Sequence, residues 1–147
     1  MLATLRTSVI GLFLLLGWAA IAQADEHPYS LGTVWEVTYV QAKPGKFEDY
    51  MKFLSSTYTK EMDAAKAKGL VTSYKVLTVV DARDNEPDII LMVEHPKFAY
   101  LDTTLDQQDA MTKAIFGSLP KSDQASVDRE SIRTLRGTLL TQEVKLK

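Results

Sequence analysis

The chain contains no cysteine among its 147 residues. Disulfides, thiolate nucleophiles, iron–sulfur clusters, cysteine-bound zinc and covalently attached c-type haem are therefore excluded. Histidine is nearly as scarce, with only His27 and His95, and these fall in a polar lead and at the end of an apolar strand, so a histidine zinc site would have to join two distant segments. There is no basic block either. Lys and Arg total 17 against 19 Asp and Glu, a net charge of −2, which leaves no electrostatic footprint for nucleic acid or for an anionic membrane. A Gly-x-Ser-x-Gly elbow, a phosphate-binding loop and a dinucleotide fingerprint are all missing. No residue pattern calls for a cofactor.

What is present begins with one hydrophobic run. Arg6 supplies a positive charge, Val9 to Ile21 is apolar apart from glycines, and Ala22-Gln23-Ala24 offers a small-x-small cleavage site just before Asp25-Glu26. These are the three parts of a secretory signal. The run of about 13 apolar residues is shorter than the roughly 20 that span a bilayer. Residues 1–24 are thus expected to be a cleaved signal peptide, giving a periplasmic or secreted protein that leaves the membrane after cleavage. Removing them leaves 147 − 24 = 123 residues with 16 basic and 19 acidic side chains, a charge of −3. That length suits one domain with a single core, read here as a flexible tail at 25–32 followed by a domain at 33–147.

Periodicity sets the elements. From Thr33 to Gln41 the residues alternate, with Trp35, Val37 and Tyr39 on one face and Val34, Glu36, Thr38 and Val40 on the other, which predicts a strand. After Pro44-Gly45, Phe47, Tyr50, Met51, Leu54, Tyr58, Met62 and Ala65 draw one apolar stripe along a helix from about Lys46 to Lys68, closed by Gly69. Leu70 to Val80 and Ile89 to Glu94 read as two strands of a hairpin across a polar turn at Asp81 to Asp88. A helix starts near Pro96 and ends near Gly117, with Phe98, Leu101, Leu105, Met111 and Ile115 at helical spacing. Pro120 reads as a break, Ser122 as the cap of a further helix reaching about Leu135 with Val127, Ile132 and Leu135 inward, and Thr138 to Lys145 as the last strand. The order β-α-β-β-α-α-β is the ferredoxin-like plan, an α+β antiparallel sheet with helices on one face.

With that order, the strand Val34-Trp35-Glu36-Val37-Thr38-Tyr39-Val40, the turn Lys43-Pro44-Gly45-Lys46 and the helix begun by Phe47-Glu48-Asp49-Tyr50, the chain resembles the dimeric α/β-barrel superfamily. Within it the resemblance is to small domains related to antibiotic-biosynthesis monooxygenases. The resemblance implies two sheets packed face to face in a homodimer, with small ligands held between sheet and helices. One feature agrees independently. Ile89 to Val93 is apolar on both faces, and helices can cover only one of them, so a second copy would cover the other. The superfamily spans oxygenases, isomerases, haem enzymes and proteins without known activity, and fold alone does not choose among them.

Four sets of residues are candidates for function. Trp35, Tyr39, Tyr58, Tyr74, Met92 and Tyr100 would line an aromatic pocket for a small apolar or aromatic ligand, the alternative being plain core. His95, where a strand meets a helix, would be the base of a cofactor-independent monooxygenase or isomerase in that pocket, the alternative being a structural cap. Asp25, Glu26 and His27, if cleavage follows Ala24, would form a square-planar nitrogen set for copper(II) or nickel(II) from the free amine, two amides and the imidazole. Arg129, Arg133 and Arg136 would gather on an anionic ligand or pair with Asp and Glu. The primary expectation is an exported dimeric barrel of unassigned activity, with the enzyme and metal readings as alternatives.

Overall fold

The sheet is built around β1 (Tyr29–Ala42), which pairs with β3 (Ile89–His95) on one side and with β4 (Arg133–Leu146) on the other. β2 (Ser73–Thr78) completes the order β2-β3-β1-β4, and all three pairings are antiparallel. The computed structural model describes residues 27–147; the expected signal peptide, Asp25 and Glu26 lie outside the described residues.

Side chains alternate across a strand, and burial shows which face is covered. Val34, Val40 and Ile89 are 0% exposed, and with Leu91 they form the sheet's contribution to the core. The helical layer supplies α1 (Phe47–Phe53), a π turn (Leu54–Tyr58) and α2 (Thr59–Ala67), one continuous helix that delivers Tyr50, Leu54 and Tyr58 to that cluster. Burying each such side chain contributes about 1.5–3 kcal/mol. The π turn has a local cause. Ser55 and Ser56 hydroxyls donate back to the Lys52 carbonyl at 3.1 and 2.7 Å, and Thr59 donates to the Leu54 carbonyl at 2.9 Å, loosening the regular ladder. α3 (Leu105–Phe116) and α4 (Leu119–Glu130) complete the layer. No helix among the described residues is long and apolar enough to cross a membrane.

Several boundaries differ from the sequence reading. Tyr29–Leu31, expected in the tail, is strand, because Tyr29, Ser30 and Leu31 pair with Leu146, Lys145 and Val144 of β4. Pro120 does not break the chain. Ser118 caps α4 by accepting from the Lys121 amide at 3.3 Å, and the proline sits in the first turn, where its missing N–H costs nothing. α4 therefore starts and ends earlier than expected. Leu135 moves from a helix to β4, and Val127, expected inward, is 64% exposed. After Pro96 the chain forms a short 3-10 turn (Phe98–Asp102), and α3 begins only at the capping box of Thr104 and Gln107. β2 is shorter than expected at both ends.

In β4, Arg136 is an extra residue against β1: Tyr39 pairs with Gly137 and Val40 with Leu135. Gly137 adopts a φ of +150° there, which disfavours any side chain. The bulge turns Arg136 so that its guanidinium donates to the Asn85 carbonyl at 2.9 Å, tying the β2–β3 turn to the opposite edge strand.

Candidate functional site

His95 is the last residue of β3 and stands on the helix-covered face in register with Val34. It is 6% exposed, the only polar residue in the buried set among the described residues. Its Nδ1 lies 2.7 Å from the Leu70 carbonyl. A carbonyl can only accept, so Nδ1 carries the proton and donates. In the neutral ring Nε2 then keeps its lone pair, and this atom is buried and without a partner among the described residues. The Tyr100 ring stacks on the imidazole with centroids 3.6 Å apart and planes 7° from parallel. Tyr100 in turn donates from its hydroxyl to Glu36 Oε2 at 3.4 Å. Burial, and then the neighbouring Glu36 carboxylate, push the Tyr100 phenol above its ordinary range, so it remains a donor.

These three residues share the wall of a cavity of about 350 Å³. Val93 of β3 and Leu70 and Val71 of the loop before β2 line its sheet side, and Met62 and Ala65 of α2 face Met111 of α3 across it. The site is a mostly apolar cleft whose polar groups are the His95 imidazole, the Tyr100–Glu36 pair, Thr103 and Gln108. Such a composition suits a small, mostly apolar molecule oriented by a single polar group.

The sequence-predicted pocket residues are divided among three places. Tyr100 lines the cavity. Tyr58 and Tyr74 meet edge to face at 5.8 Å within the core, and the Tyr58 hydroxyl is buried without a partner while burial drives its phenol far above its ordinary range. Trp35, Tyr39 and Met92 lie on the opposite face of the sheet, as the register Trp35–Glu94 and Val37–Met92 requires, with the Lys75 ammonium 5.5 Å from the Trp35 ring centroid. His27 is exposed beside Tyr29 at 5.6 Å between rings, and the other two members of its metal set lie outside the described residues. Among the described residues no group of three or more His, Asp or Glu is placed to hold a metal ion. Arg129 and Arg133 both stand over aromatic rings of α1, at 5.0 Å from Phe53 and 5.8 Å from Tyr50; Arg136 is held elsewhere by Asn85.

Glu36, Met62 and Met111 were missed as site residues. Glu36 had a legible signal, since it shares the period-two face of Val34 and Val40 and so points a carboxylate at the helical layer. The methionines had none, because a methionine in an apolar helical stripe reads the same in a core and in a cavity wall.

No family model and no curated protein matches the chain. Among solved structures, HapK from Hahella chejuensis matches with a TM-score of 0.50 at 5% identity, over 75% of this chain and 91% of its own. PA3566 from Pseudomonas aeruginosa matches with a TM-score of 0.46 at 14% identity, over 79% and 96% of the two chains. A dimeric ferredoxin-like protein from an uncultured marine organism matches with a TM-score of 0.46 at 11% identity, over 80% and 98%. At 5% identity the likeness to HapK is one of fold; the strand order, the antiparallel pairing and the one-sided helices are themselves those of the ferredoxin-like α+β fold.

Proposed function

We propose that this chain is exported, forms a homodimer through the open face of its sheet, and binds a small apolar or aromatic molecule in the cavity beside His95. The carrying observation is the His95 imidazole, which lines an apolar cavity and whose Nε2 is buried and unpartnered, an acceptor in the neutral ring. A buried acceptor left without a donor costs about 1–3 kcal/mol, and a ligand bearing one O–H or N–H removes that cost. Export is supported by the charged, apolar and small-x-small segments of residues 1–24. Dimerisation is supported by the apolar side chains of the uncovered sheet face.

Native mass spectrometry of the protein recovered from its exported compartment tests all three parts. The expected spectrum is a dimer that begins near Asp25 and carries an additional organic mass. A bare monomer overturns the dimer and the retained ligand together.

A second reading is favoured by the fixed tautomer. With Nδ1–H held by Leu70, Nε2 is set to take a proton from a bound molecule, as a cofactor-independent isomerase or monooxygenase requires of its base. His95→Ala is expected to abolish deuterium exchange from heavy water into an acidic C–H of the bound ligand while circular dichroism stays unchanged. Exchange at the wild-type rate in that variant sinks the catalytic reading.

A further inference from the structure

The cavity beside His95 does not stop at α3. Four of its wall residues, Met62, Ala65, Gln108 and Met111, also line a second cavity of about 360 Å³ that continues toward α4. The second cavity adds the apolar Ile115 and Phe116, and two charged side chains, Glu61 of α2 and Arg129 of α4. The two cavities form one cleft, apolar along its middle apart from Gln108, with the His95 imidazole at one end and opposite charges at the other.

The charged end is held in place. The Arg129 guanidinium stands 5.0 Å from the Phe53 ring centroid, and its Nη2 donates to Ser126 Oγ at 2.8 Å. Its Nη1 is buried with no hydrogen-bond partner. Glu61 is half-buried, and burial pushes its carboxyl above the ordinary carboxylate range, with the Arg129 charge opposing that shift. Among the described residues no ion pair joins Glu61 to Arg129. A guanidinium and a carboxyl group therefore share a cavity wall and feel each other's charge, with no direct ion pair between them.

We propose that the cleft takes a zwitterionic molecule, with its carboxylate on Arg129, its ammonium on Glu61, and an aromatic or aliphatic body lying past Met62 and Met111 toward His95. The proposal rests on the cavity reading above and names the ligand class for it. A simple acid satisfies the unpaired Nη1 of Arg129 through a charge-assisted bond but meets repulsion from Glu61. A simple amine pairs with Glu61 but leaves Arg129 Nη1 unpaired and adjacent to a second positive charge. Only a ligand carrying both charges answers both groups. If the distal end of the body carries a hydroxyl, it supplies the donor that His95 Nε2 lacks.

Isothermal titration calorimetry of the mature chain with four probes tests this: L-tyrosine, phloretate, tyramine and para-cresol, which share a phenol and differ in the charged groups. L-Tyrosine is expected to bind at least about tenfold tighter than each of the other three, the size of one charge-assisted hydrogen bond. Arg129→Gln is expected to erase the advantage over tyramine, and Glu61→Gln the advantage over phloretate, each leaving para-cresol affinity unchanged. Glu61→Gln removes no packing, so it keeps the test decisive even if Arg129→Gln unfolds. If L-tyrosine and para-cresol bind equally, the zwitterion is overturned and the cavity reading stands. If phloretate matches L-tyrosine, Glu61 has no role and the proposal is overturned. If none of the four binds, the cavity reading fails and takes the proposal with it.

Discussion

On the helix-covered face of the sheet, Val34, Val40 and Ile89 are sealed from water. One residue along each strand, Trp35, Tyr39 and Ile90 stand on a face that no element among the described residues covers, beside Leu77 and Leu139 at 43% and 53% exposure. The two faces are comparably apolar, yet among the described residues only one has found its cover. A strand's alternation states that both faces need burial. It does not say what supplies it, and for a four-stranded sheet with helices on one side the supply runs out after one layer.

The comparison can be broken most sharply at neighbouring isoleucines. Ile89→Ala empties a fully buried site and is expected to cost about 3 kcal/mol in urea unfolding. Ile90→Ala, on the open face, is expected to cost below about 1 kcal/mol at concentrations where the chain is monomeric. Equal costs would mean that the two faces are not different in kind. A charge at the centre of the open face addresses the proposed partner instead. Val37→Glu is expected to weaken the dimer at least about a hundredfold, seen as a shift to monomer in sedimentation velocity with circular dichroism unchanged. A dimer that persists would place the interface elsewhere.

Smaller effects sharpen the covered side. Tyr58 carries a buried hydroxyl with no partner, so Tyr58→Phe is expected to stabilise the protein by about 1 kcal/mol; a loss of that size would show that the hydroxyl is bonded after all. Glu61 gives a pH signature. Burial holds its folded-state carboxyl above the ordinary 4.5, so the folded chain binds this proton more tightly than the unfolded chain. Its contribution is therefore fully present below pH 4.5 and is lost as pH rises through the folded value. Glu61→Gln is expected to raise the melting temperature slightly at pH 7 and to leave it unchanged at pH 3. A rise at both values would trace the effect to something other than titration.

Much of the fold was legible. The apolar stripe of Tyr50, Leu54, Tyr58, Met62 and Ala65 predicted the long helix, and the continuous run at Ile89 predicted a strand with two apolar faces. The site was legible only in part. His95 was singled out by its place at a strand end, and Tyr100 by its aromaticity, but nothing in their spacing shows that their rings stack or that Glu36 joins them. The helix–helix junction after Phe116 was misread, because Pro120 is as compatible with a first helical turn as with a break, and Ser118 rather than Ser122 won the cap. The four residues from Tyr29 to Gly32 carry too little alternation to announce a strand.

The amino-acid sequence by itself determined the identities and periods of the elements, since alternation at two residues and stripes at three and four depend only on local geometry. It also determined which chemistries are excluded, since a missing cysteine cannot be restored by folding. Tertiary structure alone decided that Tyr29–Leu31 is strand, that Trp35 and Tyr100 lie on opposite sides of the sheet, and that Glu36, Met62, His95, Tyr100 and Met111 enclose one cavity. Those outcomes depend on register between segments tens to about a hundred residues apart, where a shift of one residue would turn every side chain of a strand to the other face.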